Sequence, residues 1–530
     1  MNRSAALPAT PAPRAGRREW IGLAVIALPC LLYSMDLTVL NLAVPSLTRD
    51  LRPSSTQLLW IIDIYGFLVA GSLITMGTLG DRIGRRRLLL IGAVAFGVAS
   101  VLAAFSTSAG MLIATRAVLG LAGATLAPST LSLIRNMFLD PGQRSVAVGV
   151  WIASYSAGAV IGPPLGGVLL EHFWWGSVFL VSVPMMVLVL ILGPILLPEF
   201  RDPTAGRPDV FSATLSVAAV LGVIYGLKQI AAHGISWVPV VSIVAGMGVG
   251  VAFVRRQRKL ADPLIDLRLF RIPAFTASLA TYLLATFAVF GPYVFIAQYL
   301  QLVLGLSPLE AGLWSMPFAG GFVVGSIVSP IIARRVRPAL LMGAGLLIAA
   351  TGFVTLTQVG GPSGLAILVA STVVFSTGLS PVFTLANDII IGTAPPERAG
   401  AAAAISETCS EFGGALGIAI LGSVGTAIYR GAMADSVLEG LPPAAADAAR
   451  DTLGGALTVA TQLPDLGATL LDTARKAFTS GLQVTAIASA ALMIGMAVLV
   501  LVLLRHAGSD AQAGPRAGEA PDGAIAPAGL

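Results

Sequence analysis

Seven side chains in this 530-residue chain carry charge inside long apolar runs: Asp36, Asp63, Arg116, Lys228, Asp388, Glu407 and Glu411. An ionisable group at the centre of a membrane costs about 2.5–3.5 kcal/mol on insertion scales, so each should face a watery cavity or a partner. Glu407 and Glu411 are spaced i,i+4 and project from one face of a helix. Two neighbouring carboxylates resist double ionisation, so one keeps a proton until a cation arrives and displaces it. Asp36 and Asp63 lie towards the same side of their runs as Arg116. A guanidinium and burial pull a carboxylate in opposite directions, so access to water decides whether it holds a proton. Asp388, a turn from the end of its run and just before Gly392 and Pro395, reads as a cap or gate more than as a substrate contact. This is the chemistry of proton exchange against a solute.

Other chemistries find little support. Cys30 and Cys409 both fall in apolar runs and read as small core residues, and His172, His233 and His506 fall outside the apolar interior, so no metal site is expected. No nucleotide-binding glycine motif occurs, and no cofactor is called for beyond the proton as coupling ion. Energy must then come from an ion gradient. One charge crossing 100 mV is worth about 2.3 kcal/mol. That potential cancels when a monovalent cation exchanges for one proton, so cation export favours two protons per cycle.

The elements that position these groups are membrane spans. The chain is 56% apolar and only 11% charged, the composition of an integral membrane protein. A span takes roughly 20 apolar residues, and fourteen such runs fit between 20 and 504. The charged loops alternate so that most Lys and Arg fall on one side, which predicts both termini in the cytoplasm. The net charge of +6 reflects loop arginines facing acidic lipid, and nucleic acid is not an expected partner. The predicted division is a disordered 1–19, six spans in 20–197, two inserted spans with linkers in 198–272, six spans in 273–504, and a disordered tail 505–530. Within the last block, 429–478 forms an external hairpin. Helical spacing after Pro443 and after Pro464 predicts two short amphipathic helices there, read as a passive hairpin in preference to a lid.

Motifs sharpen this outline. Residues 77–89 form a basic loop with Gly77, Gly80, Asp81, Arg82, Gly84, Arg85 and Arg86, and a weaker copy without the Asp follows the tenth run at 325–337. The repeat implies two six-helix halves. The loop resembles that between helices 2 and 3 of the major facilitator superfamily, and fourteen spans narrow the resemblance to its drug:proton antiporters. Met35-Asp36 through Pro45 resembles that group's span-1 signature, and Arg116 through Gly120 and Gly123 the superfamily's span-4 motif. Gly158, Gly162, Pro163, Pro164, Gly166 and Gly167 are similar to the span-5 antiporter motif, which is associated with export.

The resemblance implies an all-α membrane protein of the major facilitator fold, two six-helix bundles plus two inserted helices. It implies a monomeric, lipid-embedded multidrug exporter of the bacterial inner membrane that expels lipophilic, cationic compounds for protons, with loop 77–89 latching the cytoplasmic side. Asp36, Asp63 and Arg116 would couple protons, and Glu407, Glu411 and Asp388 would serve proton or drug. Trp60, Tyr65, Trp151, Tyr155, Phe290 and Tyr293 are candidate cavity aromatics able to stack on planar cations. Span 10 carries no acid of the kind some dication exporters have, so export of divalent cations is not expected. A dedicated exporter of one antibiotic, metabolite or lipid remains open, and a membrane-embedded enzyme or sensor is the remote alternative.

Overall fold

Caps set where the helices begin. The computed structural model describes residues 14–201, 209–260, 263–265, 267–361, 363–393, 399–434, 442–463 and 466–503. Most of the two ends read as disordered, along with His506 and Pro395, lies outside these residues. In the first half the helices are α1 (Arg17–Leu51), α2 (Ser55–Ile83), α3 (Arg85–Ala104), α4 (Ala109–Met137), α5 (Pro141–His172), α6 (Ser177–Leu180) and α7 (Ser182–Leu196). Then come α8 (Val210–His233) and α9 (Trp237–Gln257). The second half holds α10 (Pro273–Gln298), α11 (Pro308–Ala333), α12 (Pro338–Leu356), α13 (Gly364–Thr393), α14 (Ala399–Ala434), α15 (Pro443–Asp451), α16 (Leu453–Ala460) and α17 (Gly467–Leu503). Helix α1 starts at Arg17, inside the segment predicted to be disordered, because the Glu19 side chain accepts the Gly16 amide and closes the first turn. Ser54 with Gln57, and Ser307 with Glu310, form reciprocal caps on α2 and α11, each satisfying two orphan donors. Glu310, the acid at the start of α11, is thus engaged in its cap.

Among the described residues, fourteen helical segments are long and apolar enough to cross a membrane, with α6 and α7 sharing one. Their packing repeats. In the first half α1 lies on α5, α2 on α4, and α3 on α4 and α7; in the second, α10 lies on α14, α11 on α13, and α12 on α13 and α17. Glycines make the paired contacts close. A Cβ on Gly158 would strike the Leu31 carbonyl of α1, and one on Gly162 would meet Met35 and Thr38, which flank Asp36. In the other half Gly413 and Gly417 sit on the Leu283 and Phe287 carbonyls of α10. The span-5 glycines therefore clamp α5 to the helix that carries Asp36, and α14 treats α10 the same way.

The halves meet where α2 crosses α14 and α5 crosses α11. A Cβ on Gly66 would lie 3.3 Å from Ala415, one on Gly422 2.9 Å from Leu59, and one on Gly167 2.7 Å from Leu309 of α11. These contacts lie at mid-helix or towards the end of the bundle that carries α15 and α16. Along α5, Gly158, Gly162 and Gly166 are buried against α1, and Pro163 and Gly167 against α11. The bundle is closed at the α15–α16 end.

Helices α15 and α16 reinforce that closure. Tyr429 donates to the Ala449 carbonyl at 2.8 Å, Arg430 pairs with Asp451 at 3.6 Å, and a Cβ on Gly454 would meet Thr48 of α1 at 2.9 Å. The predicted passive hairpin touches both halves. The second short helix also differs from expectation: it is Leu453–Ala460, capped by Thr452. Helix α17 instead begins at Gly467 and runs on into the last span.

Gly158→Val and Gly417→Val should each lower the melting temperature of the detergent-purified protein by several degrees, since overpacking costs about 1–3 kcal/mol and a helix carbonyl cannot move aside. Gly149→Val on the same α5, where nothing lies within 4 Å of a new Cβ, is the control. Equal melting of the Gly149 and Gly158 variants would contradict the clamp.

Candidate functional site at the seam

Arg116 is the largest fully buried side chain among the described residues of the first half, 1% exposed. Its Nη1 donates to Asp36 Oδ2 at 2.5 Å and its Nε to the Ile61 carbonyl at 3.2 Å. The guanidinium also lies 4.6 Å from the centre of the Tyr65 ring, a favourable placement for cation–π attraction. One side chain on α4 thereby joins α1 and α2. The span-4 glycines make room for it: a Cβ on Gly120 would meet the Tyr65 carbonyl at 2.6 Å and one on Gly123 the Tyr65 hydroxyl at 2.9 Å. Asp36 keeps 14% of its side-chain surface, beside a narrow cavity lined by Leu32, Phe96, Phe179 and Ser182.

Asp63 does not join this group. It lies two residues before Tyr65, about 200° around the helix, and points at α8. There its Oδ2 is 2.6 Å from Lys228 Nζ, both side chains being fully buried. Trp60 lies on the same face, with Lys228 Nζ 3.9 Å from its ring centre. The expectation that Asp63 shares the Arg116 site, and that Trp60 lines the cavity with Tyr65, is therefore corrected by helical phase. Sequence reasoning missed Lys228 as the partner, although it is the one Lys, Arg, Asp or Glu inside its span.

Glu407 and Glu411 are half-buried on α14 and face the first half. The Tyr33 hydroxyl is buried and looks towards Glu411. Tyr65 lies within electrostatic reach of both Asp36 and Glu411, and Tyr155 of Glu407. The rings form a continuous tray: Tyr33 to Tyr65 at 6.0 Å, Tyr33 to Tyr155 at 5.7 Å, and Tyr155 to Trp151 at 4.9 Å between centroids. Tyr33 was missed in the sequence. Its signal is its position three residues before Asp36, on the same face of α1. Tyr293 belongs to a separate aromatic row in the second half, 6.1 Å from Phe290 and 5.9 Å from Phe318.

Asp388 is exposed on α13. Its neighbour Asn387 accepts a hydrogen bond from Ser406, one residue before Glu407.

The 77–89 loop stays within the first half. Gly84 has φ 114° and a Cβ there would collide with Glu199, so only glycine fits the turn. Arg85 donates to Asp81 at 2.8 Å and to the Pro128 carbonyl at 3.3 Å. Arg86 donates to the Leu197 carbonyl at 3.0 Å, and its amide donates to Glu199 at 3.2 Å. Gly77 lies near Pro128, and a Cβ on Gly80 would meet Arg85, while Arg82 is exposed. The expected latch across the cytoplasmic side is thus, in this conformation, a tie among α2, α3, α4 and the end of α7.

The arrangement sets two acids of one half against an aromatic tray of the other, with a buried Asp–Arg pair behind the tray. Acids and ring faces together suit an organic cation, and carboxylates at the edge of a cavity can gain or lose protons.

Comparison with known proteins agrees with this architecture. The family model described as Major Facilitator Superfamily matches residues 26–418. The chain is 44% identical over 494 residues to the multidrug efflux pump LfrA of Mycolicibacterium smegmatis, covering 93% of this chain and 98% of that one. It is 36% identical to the methyl viologen resistance protein SmvA of Salmonella typhimurium, covering 91% and 97%. The backbone superposes on a bacterial homologue of the human lysosomal transporter Spinster with a TM-score of 0.66 at 17% identity, covering 93% and 98%. The chain therefore belongs to the Major Facilitator Superfamily, as a multi-pass membrane transporter.

Proposed function

We propose that this transporter expels lipophilic, cationic compounds across a bacterial inner membrane in exchange for protons. The observation that carries the reading is the placement of Glu407 and Glu411 opposite the Tyr33–Tyr65–Tyr155 tray, with the Asp36–Arg116 pair behind it. Glu407 and Glu411 receive the cation, and Asp36 exchanges its proton through the cavity at its side. The arginine-rich 77–89 loop lies at the same end of the bundle as the start of α1, since Arg86 bonds Leu197 and Arg18 bonds Ile195, and the positive-inside rule assigns that end to the cytoplasm in this reading. The conformation closed at the α15–α16 end is then the one that loads from the cytoplasm. The names of the LfrA and SmvA relatives, a multidrug pump and a methyl viologen resistance protein, support a cationic and varied cargo. Other relatives are named for single antibiotics, tetracenomycin C and puromycin, and this favours a narrower exporter as the second reading. Competition by a panel of unrelated cations separates the two.

Purified protein in liposomes with an imposed inside-acid gradient should accumulate ethidium. Asp36→Asn should remove the response to the gradient while leaving downhill ethidium exchange, because the amide oxygen still accepts from Arg116 but the amide cannot take up and release a proton. Gradient-driven uptake undiminished in Asp36→Asn would move coupling elsewhere.

The double variant Glu407→Gln/Glu411→Gln should bind ethidium about tenfold more weakly, a loss of about 1.4 kcal/mol, as read by fluorescence titration. Each single variant should lose less, since one carboxylate remains for the cation. Unchanged affinity in the double variant would exclude these acids from the cation site.

A further inference from the structure

Helix α8 carries one charge, and that charge is used. Lys228 is 1% exposed, its Nζ is 2.6 Å from Asp63 Oδ2, and the Trp60 ring closes over it at 3.9 Å. Around the pair, Ile224 and the flanking Val220, Leu221 and Leu227 of α8 pack with Phe67 of α2 and with Ala415 and Ala419 of α14. So α8 lies over the line where the first half meets the second, touching α2 on one side and α14 on the other. The two contacts differ in kind. Towards α14 they are apolar and can slide. Towards α2 there is an ion pair in a dry environment, and separating it would leave a buried charge without a partner, a strongly unfavourable change.

We propose that Asp63 and Lys228 form a permanent, net-neutral clamp that fixes the inserted helix α8 to the first half. Helix α8 then travels with α2 and slides along Phe412 and Leu416 of α14 as the halves rock, keeping the α2–α14 seam covered against lipid. Asp63 stays paired throughout the cycle and carries no coupling proton. Lys228 is a positioning residue and makes no contact with substrate. The proposal rests on the exporter reading above for its transport readout, though not for its stability readout.

The test is a double-mutant cycle on full-length protein. Asp63→Asn and Lys228→Met alone should each lower the melting temperature by several degrees, because each strands a buried partner. The double variant, in which neither charge remains, should recover most of that loss and retain wild-type ethidium uptake with an unchanged dependence on the pH gradient. A folded double variant that has lost gradient-driven uptake, beside an active wild type, would overturn the clamp and return Asp63 to proton coupling. Failure of the wild type itself to transport would count against the exporter reading and leave the melting data to judge the clamp. A second measurement needs no change of charge. With Cys30 and Cys409 replaced by serine, a disulfide between Phe67→Cys and Ile224→Cys, joining α2 to α8, should leave transport intact. One between Ile224→Cys and Ala415→Cys, joining α8 to α14, should arrest it, with recovery on reduction. Arrest by the α2–α8 disulfide, or free transport with α8 joined to α14, would refute the proposed motion.

Discussion

A charge buried between apolar helices must keep its partner, and much of this structure follows from that. Breaking a buried ion pair is far more damaging than never having made it. Arg116 answers the requirement with three interactions at once, a carboxylate, a carbonyl and a ring face, drawn from two neighbouring helices. Because these come from α1 and α2, the guanidinium fixes how α1, α2 and α4 sit together. Gly120 and Gly123 then become necessary, since any side chain there would push Tyr65 away from the cation it covers.

The same constraint separates two acids that look alike in the sequence. Asp36 borders a cavity and retains some exposure, so its pair with Arg116 lies where water can reach one member. The side chains of Asp63 and Lys228 have no exposed surface. A carboxylate that must exchange protons needs a route to water, and one that holds helices together is better without it. That difference in access is the physical basis for giving the two acids different proposed roles.

Rigid units and sliding surfaces are built from different contacts. Within each half, glycines let a helix rest on the backbone carbonyls of its neighbour, at Leu31 in one half and at Leu283 and Phe287 in the other. Such contacts do not tolerate relative motion, because backbone cannot repack. The 77–89 loop adds polar ties inside the first half through Asp81, Arg85, Arg86 and Glu199. Between halves the contacts gather at mid-helix and at the α15–α16 end, which leaves the opposite end free to part.

The sequence by itself determined what is local or periodic. Fourteen apolar runs, the charge asymmetry of the loops, the repeated basic motif and the i,i+4 spacing of Glu407 and Glu411 are all legible, because length, period and composition set a helix. It also marked Asp36 and Arg116 as costly enough to matter. Only the tertiary structure decided which acid met which base. Asp36 and Asp63 are equally plausible partners for Arg116 by depth alone, and the choice follows from the rotational phase of α2, which turns Tyr65 towards α4 and Asp63 towards α8. Tyr33 joined the site, and Trp60 left it, for the same reason. The division of α15 from α16, and the start of α17 at Gly467, depended on what those segments pack against. Depth along a span is written in one dimension, but the direction a side chain faces is settled only when neighbouring helices take their places.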